Sequence, residues 1–362
     1  MDRKSPMDPP AIQALATGVP PIRYGQMEIF DFLARRQAGI SPHARTIFRN
    51  AGVAFRHVCV DKSYYDVDRT TGERNERYLA EALPLGEATV RRCLDAAGCA
   101  PGEIDDFFVV SCTGYEIPGL DLRLAGRVGM RSDLRRTCVL GMGCYGAFPA
   151  LLRAREAAAQ RPGRVALVLS VELCSLHLQV DGDKEDLVAS ALFADGAAAA
   201  VIANGTDAGA QRLPPRPPRP RLIDSATHCD YRTFDHMAFH LTDHGFRMRL
   251  SSYVPDVLAA NIGTFVDRLL GQNGLRREDV RFWGIHPGGS RILDYLQEQL
   301  GLSDPQMEHS RTVLRDYGNM SSPTILFVLD EIQRRGRPAP GDHGVLMGFG
   351  PGLTLEGAVL RW

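Results

Sequence analysis

The chain has 362 residues, 44% of them hydrophobic and 23% charged, with a formal net charge of -1. That length and balance predict a globular protein with an ample core, in two domains or one large duplicated unit. Near-neutral charge gives no reason to expect a nucleic-acid partner, and no apolar run approaches the roughly 18 residues that a membrane-spanning helix needs.

The chain opens with MDRKSPMDPP, which lacks the apolar core of a signal peptide and reads as a short tail. Its eight cysteines fall at 59, 93, 99, 112, 138, 144, 174 and 229, and no two form a CxxC pair. Zinc and thioredoxin-like readings therefore lack support, and no metal site is expected. With no secretion signal, reduced thiols in the cytoplasm are expected, most of them serving as small buried hydrophobes.

Further along, EIDDFFVVSCTG (103–114) predicts a buried strand running into a polar turn. VLGMGCYGAFPALLRARE (139–156) then places Cys144 between glycines, just ahead of a helical run. ALFADGAAAAVIA (191–203) predicts a glycine turn feeding a strand. QRLPPRPPRPR (211–221) cannot be a helix and is too rich in proline for a central strand, so it reads as the crossing between two halves, 1–210 and 211–362.

The second half repeats the first. EDVRFWGIHPGG (278–289) again reads as a strand and polar turn, and Glu103 falls on Glu278 at an offset of 175 residues. The same offset carries Gly143 onto Gly318 and Cys144 onto Asn319. Each is followed by a helical run with an early proline, Pro149 or Pro323, where the missing N–H matters little. LMGFGPGLTLEGAVL (346–360) answers 191–203. An ancient duplication places equivalent positions face to face, which would gather Cys144, His286 and Asn319.

Those residue types suit one chemistry. A cysteine at a helix start meets unpaired N–H groups and the positive end of the dipole, and a nearby imidazolium further favours thiolate. Thiolate attacks thioester carbonyls. Histidine and asparagine can each donate to a developing oxyanion. Singly, each has a plainer reading: a buried structural cysteine, a turn or core histidine, a turn or cap asparagine. The combination carries the argument. GFGPG (348–352) matches part of a dinucleotide fingerprint, but it leads into a strand and not a helix, which excludes a nicotinamide site.

Five blocks resemble the type III polyketide synthases, the chalcone synthase-like branch of the thiolase superfamily: GCYGAFPAL, ALFADGAAA, FWGIHPGGSRILD, YGNMSSPTILFVLDE and GFGPGLTLE. The resemblance runs from about residue 12 to the end. It implies a duplicated α/β thiolase fold in five layers, αβαβα, and a homodimer. It implies coenzyme A thioesters as substrates, with no carrier protein and no other cofactor. Cys144 would hold the starter acyl group and the growing chain. His286 would help maintain the thiolate, and with Asn319 would hold the malonyl thioester carbonyl during loss of carbon dioxide. Phe193 matches the gatekeeper, and Gly348, Phe349, Gly350, Pro351 and Gly352 match the loop shaping the cyclisation cavity, with glycines leaving room for product. Ile117 matches the residue that reaches the partner's cavity.

The chain also departs from the plant pattern. Cys112, Cys174 and His177 replace threonines of the initiation pocket, Met248 replaces a phenylalanine, and Phe239 replaces a glycine. Ser321 falls among the pocket residues, and neither it nor Thr354 receives a role. Basic residues for the coenzyme phosphates match poorly, leaving Arg45, Arg49 and Arg56 as local candidates. Small Cys112 and Cys174 would suit a tunnel for an acyl tail, so an acyl-CoA-primed synthase making alkylpyrones or alkylresorcinols is the leading expectation. The alternatives are a malonyl-CoA-primed enzyme making tetrahydroxynaphthalene or phloroglucinol, a single-condensation ketosynthase of the same superfamily, and a degenerate homologue acting as a scaffold.

Overall fold

The computed structural model describes residues 9–37, 43–180, 182–204, 218–251 and 253–362. The Pro/Arg-rich crossing up to residue 217, and with it the boundary at 210/211, lies outside the described residues.

In the first half the chain forms β1 (Ala11–Gly18), β2 (Ile22–Gly25), α1 (Gln26–Arg36), α2 (Ala44–Asn50), β3 (Phe55–Val58), α3 (Thr71–Ala97), β4 (Asp106–Val110), α4 (Leu120–Val128), β5 (Arg135–Val139), α5 (Ala147–Ala159), β6 (Val165–Leu173), α6 (Lys184–Leu192) and β7 (Asp195–Ala203). The second half adds β8 (Arg221–Cys229), β9 (Met237–Thr242), β10 (Gly245–Leu250), α7 (Val254–Gln272), β11 (Val280–Ile285), α8 (Ser290–Leu300), α9 (Asp304–Tyr317), α10 (Thr324–Glu331), β12 (His343–Gly350) and β13 (Thr354–Arg361).

The duplication expected from the 175-residue offset appears in the strand pairing. In the first half β4 runs parallel to β6, β6 antiparallel to β7 and β7 antiparallel to β1. In the second β11 runs parallel to β12, β12 antiparallel to β13 and β13 antiparallel to β8. β5 extends only the first half, and α9 follows α8 where the second half would carry its counterpart. The two halves are not separate sheets. A single residue pair, Ala11 with Arg221, joins β1 to β8 and makes one nine-stranded sheet.

Side-chain alternation along the strands produces the five layers. Leu167, Leu169 and Val171 of β6, with Phe107 and Val109 of β4, face Tyr78, Val90 and Leu94 of α3 and Leu124 of α4. The opposite face, with Ala166, Val168 and Phe108, meets Phe148 and Leu151 of α5. The second half presents Phe282, Leu346 and Ala358 to that same interior, where Ile325, Leu326 and Val328 of α10 lie. Its other face, with Trp283, Val345 and Val359, covers α7 and α8. Both α5 and α10 are therefore sandwiched between half-sheets. TILFVLDE accordingly has apolar residues around most of its circumference, as a helix in a central layer requires.

Truncating a side chain in this central layer leaves a cavity that two half-sheets cannot close. Leu326→Ala is expected to cost about 2–5 kcal/mol, read from chemical denaturation, whereas Arg153→Ala on the exposed side of α5 should stay within about 0.5 kcal/mol.

Candidate active site

The nucleophile candidate is held by backbone geometry. After β5 the chain turns at Gly143, whose φ of +66 suits glycine, and whose N–H donates to the Cys112 sulfur at 3.0 Å. A Cβ on Gly143 would stand 2.9 Å from the Pro351 ring. Residues Gly143–Tyr145 form a 3-10 turn, and α5 starts only at Ala147. Cys144 is therefore one turn ahead of the α-helix and not at its first residue. Burial pushes its thiol up to about 11, although Ser321 and Asn319 beside it pull the other way. The expected thiolate bias of a helix start is outweighed here by desolvation.

Asn319 follows α9 through Gly318, where φ is +76 and a Cβ would lie 3.0 Å from the Leu192 carbonyl. Its N–H donates to Leu192 O at 2.8 Å, and its carbonyl accepts from Ala194 N at 2.9 Å. The Asn319 backbone thus bridges to Phe193 as a parallel strand pair. Its side-chain oxygen accepts from Ser321 N at 2.8 Å, and Ser321 itself has a left-handed φ of 60.

His286 closes β11, with its N–H donating to Met347 O at 2.8 Å and its ring edge-to-face on Phe349 at 5.6 Å. It is inaccessible to solvent, and neither ring nitrogen has a protein partner. Burial alone pulls it down to about 3, so the imidazole is neutral and not the imidazolium expected from sequence. Two unpartnered ring nitrogens in a dry site are the mark of a group held for a ligand.

Beside these residues opens a cavity of ≈560 Å³. Phe193, Cys112, Cys174, His177, Phe239, Met248 and Ser321 all line it. The Phe193 and Phe239 rings meet edge-to-face at 5.7 Å across it. His177 presents no free nitrogen. One ring nitrogen hydrogen-bonds Thr113 O at 2.8 Å, and the other accepts from Phe246 N at 3.3 Å. Burial lowers its pKa to about 4.

The comparisons fit this geometry. Residues 62–207 match the model of the chalcone and stilbene synthases' N-terminal domain, and residues 228–362 match that of their C-terminal domain. The chain belongs to the chalcone and stilbene synthase family. It is similar to a 1,3,6,8-tetrahydroxynaphthalene synthase of Streptomyces peucetius subsp. caesius, at 36% identity over 97% of this chain and 93% of that one. It also matches the alpha-pyrone synthesis polyketide synthase-like Pks18 of Mycobacterium tuberculosis, at 30% over 96% and 89%. Among solved structures, PKS-I of the brown alga Ectocarpus siliculosus superposes with a TM-score of 0.92 at 30% identity, covering 99% of this chain and all of that one. The tetrahydroxynaphthalene synthase of Streptomyces coelicolor A3(2) gives 0.89 at 29%, covering 97% and 99%. The protein is thus a type III polyketide synthase of the bacterial kind, an acyltransferase with a thiolase-like fold.

Within this synthase several sequence-based expectations need correction. Of the glycine loop only Pro351 lines the cavity. A Cβ on Gly350 would lie 2.8 Å from the Tyr145 ring, and one on Gly348 would strike Phe148. Those glycines admit the aromatics that follow Cys144, and do not leave room for product. Gly352 has a φ of +110 and serves the turn into β13. Phe349 supports His286. Ile117 needs no such correction: it is 79% exposed and lies outside this chain's cavity, which does not conflict with the expectation that it serves a partner's cavity.

The coenzyme candidates fare worst. Arg56 is buried, and its guanidinium donates to Gln26 and to the carbonyls of Ser190, Ala191 and Phe193. It fastens α6 to β3 through both terminal nitrogens, and although it lines the cavity only its buried Nε is left without a partner. Arg45 and Arg49 are exposed on α2 and do not line the cavity; Arg45 lies over the Phe30 ring. Sequence reasoning passed over Lys62, which lines the cavity, stacks on Tyr24 at 4.2 Å and stands 3.7 Å from Glu28. It also passed over Glu172, a carboxylate inside a strand that is otherwise apolar or small, VALVLSVEL. That pattern was the available signal, because a buried charge needs dedicated partners.

Arg56→Ala should lower stability by about 2–4 kcal/mol, since four acceptors lose their donor in the core. Thermal melting would show it. Lys62→Ala should leave the melting temperature within about 2 °C of wild type.

Proposed function

We propose that this synthase condenses malonyl-CoA onto a starter acyl group carried on Cys144, with His286 and Asn319 as the oxyanion donors. The observation that supports it is the meeting of Cys144 with Asn319, its equivalent in the other half, beside a cavity whose gate, Phe193, is flanked by the two residues that hydrogen-bond the Asn319 backbone.

The chemistry follows from the residues. Cys144 sulfur attacks the starter thioester carbonyl and expels coenzyme A thiolate. Malonyl-CoA then loses carbon dioxide, and the electron pair of the broken C–C bond becomes an enolate whose charge sits on the thioester oxygen. Neutral His286 and the Asn319 amide can each donate one hydrogen bond there, and preorganised donors in a dry site stabilise such charge strongly. The enolate carbon attacks acyl-Cys144, forms the C–C bond and expels the Cys144 thiolate. No cofactor beyond the coenzyme A thioesters is needed.

Loading asks for a thiolate, yet burial opposes a lone thiolate and a lone imidazolium alike. Moving the thiol proton onto His286 creates both charges together, so that each offsets the other's desolvation. Lys62 at the cavity wall is the cation available to a coenzyme A phosphate. A homodimer is supported by the exposed edge strand β5 and by the exposed apolar side chains Tyr115, Ile117 and Leu140 in the loops that follow β4 and β5. Among the described residues no helix is long and apolar enough to cross a membrane, and we take the cytoplasm as the site of action.

For the product, apolar lining from Ile29, Phe32, Val58, Val60 and Leu178 supports an acyl-CoA starter and an alkylpyrone or alkylresorcinol. The 36% identity to a tetrahydroxynaphthalene synthase favours malonyl-CoA as its own starter as the second reading. Incubating labelled malonyl-CoA alone and with hexanoyl- or dodecanoyl-CoA separates them. Faster formation of acyl-extended products is expected, and full-rate product from malonyl-CoA alone would sink the acyl-primed reading.

Two variants test the assigned roles. Alkylation of Cys144 by iodoacetamide, followed against pH, should show a midpoint near 11 in His286→Ala, the value that burial together with Ser321, Glu172 and Asn319 sets, and a lower midpoint in wild type. Lys62→Ala should raise KM for malonyl-CoA about tenfold with kcat within about twofold, the pattern of lost uniform binding.

A further inference from the structure

Glu172 stands one residue from the end of β6 and is inaccessible to solvent. Its Oε1 accepts from Ser322 Oγ at 2.5 Å and from Cys112 N at 3.0 Å. Its Oε2 accepts from Thr113 Oγ1 at 2.7 Å, from Cys112 N at 2.9 Å and from Ser111 Oγ at 3.3 Å. None of these partners is cationic. The donors are themselves tied down: Ser111 bonds Tyr78 OH at 2.7 Å, Thr113 Oγ1 accepts from Leu173 N at 2.9 Å, and Ser322 bonds Ser170 at 2.7 Å. A carboxylate buried without a counter-charge is costly, and it persists because five donor contacts surround it.

The carboxylate is linked to the surroundings of Cys144 by two routes. Through Cys112, whose sulfur accepts from Gly143 N at 3.0 Å, Glu172 holds the residue just before the nucleophile. Through Ser322 it holds the turn containing Ser321, which stands beside the thiol in a left-handed conformation that few residues adopt unaided. From this we propose that Glu172 is a positioning residue for the nucleophile, holding with one carboxylate the two segments that flank the Cys144 thiol. It does not line the cavity, so it acts through its neighbours and not on substrate.

The inference rests on Cys144 being the acyl-carrying thiol. Intact mass after incubation with starter acyl-CoA tests that reading by itself: absence of a wild-type adduct that Cys144→Ala also lacks would refute it, whatever Glu172 does. The titratable groups around the thiol are Glu172 from β6, Cys112 from the loop after β4, Cys174 from the turn after β6 and Tyr145 in the same turn.

Glu172→Gln keeps the shape but exchanges one acceptor for a donor. It is expected to lower kcat about 10²-fold with KM for malonyl-CoA within about threefold, since misplacing a reacting group costs rate more than binding. It should also shift the pH midpoint of Cys144 alkylation down by about half a unit or more, because a negative charge near the thiolate is gone. Asp195→Asn is the control. Asp195 is equally buried, accepts from Cys59 N, Ser175 N and Ser175 Oγ, and should change stability without moving that midpoint. Should Glu172→Gln not fold, Ser322→Ala cuts the link to the Ser321 turn, along with the bond from Ser322 to Ser170, and leaves the carboxylate and its contacts to Ser111, Cys112 and Thr113 in place. It should lower kcat similarly and shift the midpoint upward, as Ser321 loses its hold on the thiolate. An unmoved midpoint in the folded variant, or a kcat loss no greater than the loss of folded protein, overturns the proposal.

Discussion

The backbone pairing of Asn319 with the segment around Phe193 is the contact on which the site depends. It takes the turn after α9, in the second half, and adds it as a short strand to the end of α6, in the first. Two hydrogen bonds of 2.8 and 2.9 Å fix the distance between an oxyanion donor candidate and the cavity's aromatic gate. Gly318 is needed for that approach, because any side chain there would press on the Leu192 carbonyl. The same end of α6 is gripped from β3 by Arg56. What resembles a phosphate ligand in sequence is a clamp on the gate.

The second constraint is electrostatic. Thiol, imidazole and carboxylate are all buried, and among the described residues no lysine or arginine is a main influence on any of them. Burial therefore drives each toward its neutral form, which raises Cys144 and Glu172 and lowers His286. Thiol and imidazole rest neutral and ionise only where two charges can form together, whereas Glu172 keeps its charge because dipoles are aimed at it in advance. The hydroxyls and backbone N–H around Glu172 are such dipoles, and so is the amide of Asn319. The free nitrogens of His286 complete the set.

Much of this was legible in the chain. The 175-residue offset foretold the matching strand orders and the facing of Cys144 and Asn319, because a duplicated unit preserves local hydrophobic pattern and turn chemistry. Seven of the side chains that line the cavity stand at motif positions singled out in the sequence. Arg56, Lys62, the glycine loop and Glu172 were not legible, each for a physical reason. Whether an arginine is a ligand or a clamp depends on which carbonyls surround it, and those of residues 190 to 193 lie more than 130 residues away. Whether a glycine leaves space or is filled depends on the opposing element, here Tyr145 and Phe148.

The sequence by itself determined the alternation that builds the layers, the repeat that pairs the halves and the residue types able to do thioester chemistry. These are properties of local pattern, written along a few neighbouring residues. Tertiary structure alone decided the charge states, the closing of the glycine loop over the nucleophile's aromatics and the dedication of Arg56 and Glu172 to structure. Desolvation and hydrogen-bond partners are summed over atoms drawn from the whole fold, so no single stretch of chain contains them.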